Sequence, residues 1–156
     1  MIKVISVDNK SIDFTEDEIK HSVLLKTMCL GENFEKRYEV QLPKVNVDNL
    51  FYIKRLSMVI ISKNITEEFV DNLDCFEDNT VNDYLKITTD FTIENLFTLL
   101  DCVNFLENII IIKLITKKID TILKYSMVDD IIETFKLDNF DEGEMEQMSI
   151  LKKLVC

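Results

Sequence analysis

The chain is 156 residues long with a formal net charge of −11, long enough for one domain that buries about 70% of the surface its unfolded form exposes, or a smaller domain with an extension. That acidity argues against nucleic acid and against an anionic membrane surface as partners, since both are met by basic patches. One histidine, two glycines and four scattered cysteines without a CxxC pair argue against a structural zinc site and against a phosphate-cradling loop.

Ile2–Val7 and Ser11–Phe14 read as short strands rich in β-branched residues, joined at Asp8-Asn9-Lys10, where Asp and Asn tolerate the positive φ of a tight hairpin. Thr15 and Glu18 have capping-box spacing and open a short helix to about His21. Ser22 caps a second helix, SVLLKTMCL, with Gly31 placed to end it. His21 lies at the junction and reads as a surface or packing histidine rather than a base. A charged loop over Asn33–Glu39 leads to a third strand, Val40–Leu42, which Pro43 ends. Asn46 or Asp48 starts a helix with Leu50, Phe51, Ile53, Leu56, Val59 and Ile60 on its inner side, fading near Lys63. Asn64–Asn82 is irregular and acidic, the best candidate for a loop connecting two halves.

The stretch Thr92–Glu107, TIENLFTLLDCVNFLE, sorts cleanly on a helical wheel. Ile93, Leu96, Phe97, Leu99, Leu100, Val103 and Leu106 cover a wide apolar arc, as expected of a core helix packed on two sides. Glu94, Thr98 and Asp101 form the polar stripe, and Phe105 falls on that stripe with Asn104 beside it. An aromatic on a wet face is either a partner anchor or a ring covered by a neighbouring loop. Asn108–Tyr125 follows as a helix in spite of its four consecutive isoleucines, because Ile111, Ile115, Ile119 and Ile122 share one face and Lys113, Lys117, Asp120 and Lys124 the other. The lysine face reads as solvated. Ser126–Asp129 is a further capping box ahead of a helix with Ile131, Ile132 and Phe135, and Asp141–Glu144 repeats it before a last helix reaching Leu154. Met148, Leu151 and Val155 gather on that last helix, flanked by Leu154 and Met145; methionine-rich surfaces repack easily against different ligands.

Nothing in the sequence assembles into an active site. Neither a GxSxG elbow nor an HExxH pair occurs. Asp138–Gly143 has the start of a calcium loop, but Phe140 and Ser149 stand where oxygen ligands are needed, so helix capping explains these acids better. The expectation is a non-enzymatic binding protein without cofactor or metal. Free thiols and the lack of a secretory leader or membrane span suggest the cytoplasm and nucleus.

Five segments in order carry a likeness to a known family. IKVISVDNKSIDF is similar to its opening hairpin, SVLLKTM to its SVTIKTM, LPKVNVDNL to its LPNVNAAIL, DCVNFLEN to its AANYLDI, and DDIIETFKLDNF to its EEIRKTFNIKNDF. The chain thus resembles the S-phase-kinase-associated (Skp) adaptors, which link F-box proteins to cullins in SCF-type ubiquitin ligases. The resemblance implies an α+β chain, a BTB/POZ-like domain followed by C-terminal F-box-binding helices. Residues 1–63 would be its N-terminal part, 64–82 the irregular acidic loop, 83–125 the central helices completing the domain, and 126–156 the F-box-binding helices. It places the cullin contact, for the cullin N-terminal region, on Asn104 and Phe105. The F-box contact would fall on Ile119, Ile122, Leu123, Ile131, Phe135, Leu137, Phe140, Met145, Met148, Leu151 and Leu154. Phe105 stands where the family has Tyr, so the ring is kept and the hydroxyl lost. The family's C-terminal tryptophan has no counterpart, Glu142 replaces its proline, Ile110 replaces a glycine, and the proline-rich loop is replaced by Asn64–Asn82.

The implied role is a non-catalytic adaptor supporting substrate ubiquitination and proteasomal degradation. An elongin-C-like adaptor, a self-associating POZ module forming a homodimer when unpartnered, and a viral or parasite mimic binding only one partner stay open beside it.

Overall fold

The computed structural model describes residues 1–30, 38–72 and 86–126. Strands β1 (Ile2–Ile5) and β2 (Ser11–Phe14) pair antiparallel, with Ile2 opposite Phe14 and Val4 opposite Ile12. β3 (Glu39–Gln41) adds to the other edge of β1 in parallel, Val4 opposite Val40, giving the order β2-β1-β3. Alternation puts Ile2, Val4, Phe14 and Val40 on one buried face. Lys3 and Glu39 meet on the opposite, exposed face at 3.1 Å. The turn is the expected one, with Asn9 at φ 60°. β1 stops two residues earlier than the sequence pattern suggests, because Ser6 turns its N–H and hydroxyl to the Lys10 carbonyl (both 2.8 Å) and Val7 donates to Val45 instead of to β2.

Thr15 and Glu18 form the capping box of α1 (Glu16–Ile19): the Thr15 hydroxyl accepts from Glu18 N–H at 3.2 Å and the Glu18 carboxylate accepts from Thr15 N–H at 2.8 Å. The buried Glu18 carboxylate also has the Lys54 ammonium 3.8 Å away. α2 (Val23–Leu30) follows directly. α3 (Val47–Ser62) is capped by Asn46, which accepts from Asn49 N–H at 2.8 Å. Asp8 from the hairpin accepts from Val47 N–H at 3.0 Å, so the turn and the helix start are held together. The Ser6 hydroxyl, with the Val47 and Asp8 amides, holds the Asp8 carboxyl below its usual value.

α3 packs against β2 and α1 and also meets α5 (Ile93–Phe105). Its buried stripe is Leu50, Ile53, Leu56, Ser57 and Ile60. Phe51, expected on the inner side, is 49% exposed. It lies about 100° round the helix from Leu50, edge-on to Tyr52 at 5.9 Å and with the Arg55 guanidinium 5.7 Å from its centre.

The acidic stretch 64–82, expected to be irregular, contains a short helix, α4 (Glu67–Asp71), capped by Thr66. Lys113 of α6 (Ile109–Tyr125) ties to it: its ammonium stands 2.8 Å from Asp71 and 3.5 Å from Glu67. That lysine therefore belongs to an ion-pair cluster rather than to a merely solvated face. The Asp71 hydrogen bond, the largest cause, raises its pKa.

By its contacts the chain divides into two compact units, Met1–Ile115 and Thr116–Cys156. In the second, the described residues continue α6, with Lys124 and Asp120 paired at 3.1 Å and the Ser126 hydroxyl donating to the Ile122 carbonyl at 2.7 Å. Among the described residues the chain is thus a mixed α+β protein with a three-stranded sheet and six helices.

Candidate partner-docking site

α5 begins at a reciprocal cap. The Thr92 hydroxyl accepts from Asn95 N–H, and the Asn95 carbonyl oxygen accepts from Thr92 N–H, both at 3.2 Å. Leu96, Leu99, Cys102 and Val103 are buried, as is Leu106 just beyond the last turn. The apolar arc is narrower than the wheel suggests: Ile93 and Leu100 are half-buried and Phe97 is 38% exposed. Glu94, Thr98, Asp101 and Asn104 are exposed, and Phe105 is half-buried. Of the two readings for this ring, anchor or loop-covered, the described contact bears on the second: it is one side chain from the loop between β3 and α3, and it leaves Phe105 half-buried. The Lys44 ammonium lies 5.6 Å from its centre, within cation–π range.

The backbone after Phe105 is held in a helix-ending turn. Asn108 N–H donates to the Val103 carbonyl (3.1 Å) and Glu107 N–H to the Asn104 carbonyl (3.0 Å), with Glu107 at φ 53°. This is the Schellman arrangement, here with a glutamate in the left-handed position that glycine usually fills. Asn108, buried, then caps α6 by accepting from Ile111 N–H at 3.2 Å. The carbonyls left over at the end of α5 meet the start of α2. Leu106 accepts from the Ser22 hydroxyl at 2.6 Å and from Leu24 N–H at 3.4 Å, and Glu107 accepts from Val23 N–H at 3.4 Å. Val23 and Ile109, on either side of this junction, are 52% and 42% exposed.

The sequence marks Ser22 as a cap and carries no sign of this second role. No local signal could have supplied it, since the two partners are 84 positions apart.

Beneath the corner, Asn49 donates to Cys102 Sγ at 3.3 Å, and burial pushes the Cys102 thiol above its usual pKa in spite of that bond. Cys102 and Cys29 are buried, and neither forms a disulfide among the described residues. His21 is half-buried, and desolvation holds its imidazole below the usual value. A polar cleft of about 480 Å³ lies elsewhere on the first unit, between the start of α3 and the residues leading into α5; Asp48, Arg55, Asp90 and Phe91 line it, and Asn104 and Phe105 do not.

Of the F-box contacts expected from the resemblance, Ile119 is buried at 7% exposure and Ile122 and Leu123 are half-buried. Ile131, Phe135, Leu137, Phe140, Met145, Met148, Leu151 and Leu154 lie outside the described residues. Among the described residues no three His, Cys, Asp or Glu side chains gather where they could hold a metal ion, and no helix is long and apolar enough to cross a membrane. No protein-family model matches the chain, and no curated protein matches it in sequence.

Proposed function

We propose that the chain is a non-catalytic adaptor of BTB/POZ-like fold that bridges a cullin scaffold to F-box substrate receptors. The observation that carries this reading is the corner at the end of α5. There the exposed Asn104 and the half-buried Phe105 sit on a backbone held from two directions. A pre-formed corner offers an aromatic anchor without an ordering cost at the moment of binding, which favours affinity. The order of elements among the described residues, a small sheet with helices first and helices only afterwards, agrees with what the Skp resemblance requires. The C-terminal helices expected over 126–156 would hold the F-box, so that a bound substrate is kept near the ubiquitin donor through effective concentration alone.

The test is co-purification of the full chain from eukaryotic lysate, with identification of what is retained. A cullin together with several F-box proteins supports the reading. A cullin with no F-box protein points to an elongin-C-like or single-partner adaptor, and recovery of the chain alone as a homodimer points to a self-associating module.

A further inference from the structure

The end of α5 and the start of α2 complete each other's hydrogen bonding. The last carbonyls of a helix and the first N–H groups of another have no partners within their own helices. Here Leu24 N–H and Val23 N–H, at the start of α2, reach the Leu106 and Glu107 carbonyls at 3.4 Å each. The positive end of one helix dipole thereby faces the negative end of the other. These two backbone contacts are long; the short one is made by Ser22. Its hydroxyl, in a residue 2% exposed, donates to the Leu106 carbonyl at 2.6 Å and accepts from Leu25 N–H at 3.2 Å. Ser22 is thus the cap of α2 and the clamp of α5 with a single oxygen.

Leu106 is the residue directly after Phe105. A hydrogen bond to its carbonyl fixes the peptide plane from which the Phe105 end of the helix is presented. The next residue, Glu107, is held at φ 53°, a conformation that a non-glycine residue keeps only where its surroundings hold it. We propose that Ser22 is a positioning residue of the docking corner, setting the presentation of Asn104 and Phe105 to the partner without touching the partner. The inference rests on the adaptor reading and adds to it a residue from a different helix, 84 positions away in sequence.

The experiment is calorimetric titration of the full chain with a recombinant cullin N-terminal fragment, well below the unfolding temperature. Ser22→Ala is expected to weaken binding roughly three- to tenfold, the range that one buried hydrogen bond commands. Ser22→Thr, which keeps the hydroxyl, is expected to stay within about twofold of the unmodified chain. Should Ser22→Ala not fold, Ser22→Gly tests the same clamp: glycine is well tolerated at a helix N-cap but has no hydroxyl to give the Leu106 carbonyl, and binding should weaken in the same direction. Unchanged binding in Ser22→Ala, or in Ser22→Gly where that variant is the one measured, overturns the proposal. So does a Ser22→Thr chain that binds no better than Ser22→Ala.

If the unmodified chain binds no cullin, the adaptor reading fails, and positioning is then judged on the free chain by amide hydrogen exchange. Faster exchange at Leu24 and Asn108 in Ser22→Ala, with the middle of α3 unchanged, retains the clamp. Equal exchange removes it.

Discussion

The Lys44 ammonium stands 5.6 Å from the centre of the Phe105 ring. Lys44 is exposed, and a lysine side chain is a movable cover, with its stem lying on apolar surface and its charge left in water. A partner can therefore displace it, or keep it as a cation at the rim of the contact, at small cost compared with moving the backbone of the loop that carries it. Truncating the ring itself, Phe105→Ala, is expected to lower affinity for a cullin N-terminal fragment by about 2 kcal/mol or more, as central aromatic anchors often do. Phe105→Tyr should retain binding. Titration calorimetry measures both, and unchanged affinity in the alanine variant would remove Phe105 from the interface.

Ending the chain after Tyr125 is expected to abolish F-box binding and spare the cullin. The two sets of contacts expected from the resemblance lie in different parts of the sequence, Asn104 and Phe105 before that point and most of the apolar F-box set after it. A pull-down with each partner class separates the outcomes. Capture of F-box proteins by the shortened chain would show that the F-box assignment is misplaced.

Thr92→Ala removes one half of the reciprocal cap that starts α5, the hydroxyl that accepts from Asn95 N–H, and leaves the backbone N–H of residue 92 to the Asn95 side chain. The expected loss is about 1 kcal/mol of folding stability, since an alanine cannot accept from the free N–H groups of the first turn. Urea denaturation followed by circular dichroism gives the number. Because the cap is at the far end of the helix from Phe105, cullin affinity at moderate temperature should be nearly unchanged.

The cluster of Lys113 with Asp71 and Glu67 predicts a pH dependence on the alkaline side. The folded-state pKa of Lys113 is raised, chiefly by its hydrogen bond to Asp71. Its contribution to stability is therefore fully present below the unfolded lysine value of about 10.4 and is lost as pH rises through the higher folded value. Melting temperatures of the unmodified chain and of Asp71→Asn, measured from neutral pH upward, should differ most near neutrality and converge at high pH. Parallel curves over the whole range would show that the pair does not contribute.

The hairpin, the caps at Thr15, Ser22 and Asn46, and the helix over Ile109–Tyr125 were all legible in the sequence, because each depends on residues within a turn or two of one another. Asn104 and Phe105 could be placed at the end of a helix on the same ground. What the wheel could not decide was which apolar residues find cover. Phe51 and Phe97 fit an apolar face by spacing, yet stay exposed because burial depends on where neighbouring elements stop. The sequence by itself determined the hairpin, the starts of the longer helices and which way their side chains alternate, but not α4, which lies in a stretch that reads as irregular. Only the tertiary structure decided that α4 gains a lysine from α6, that a lysine covers Phe105, and that Ser22 clamps the Leu106 carbonyl. Those bonds join residues far apart in the chain, and periodicity holds no information about who meets whom across space.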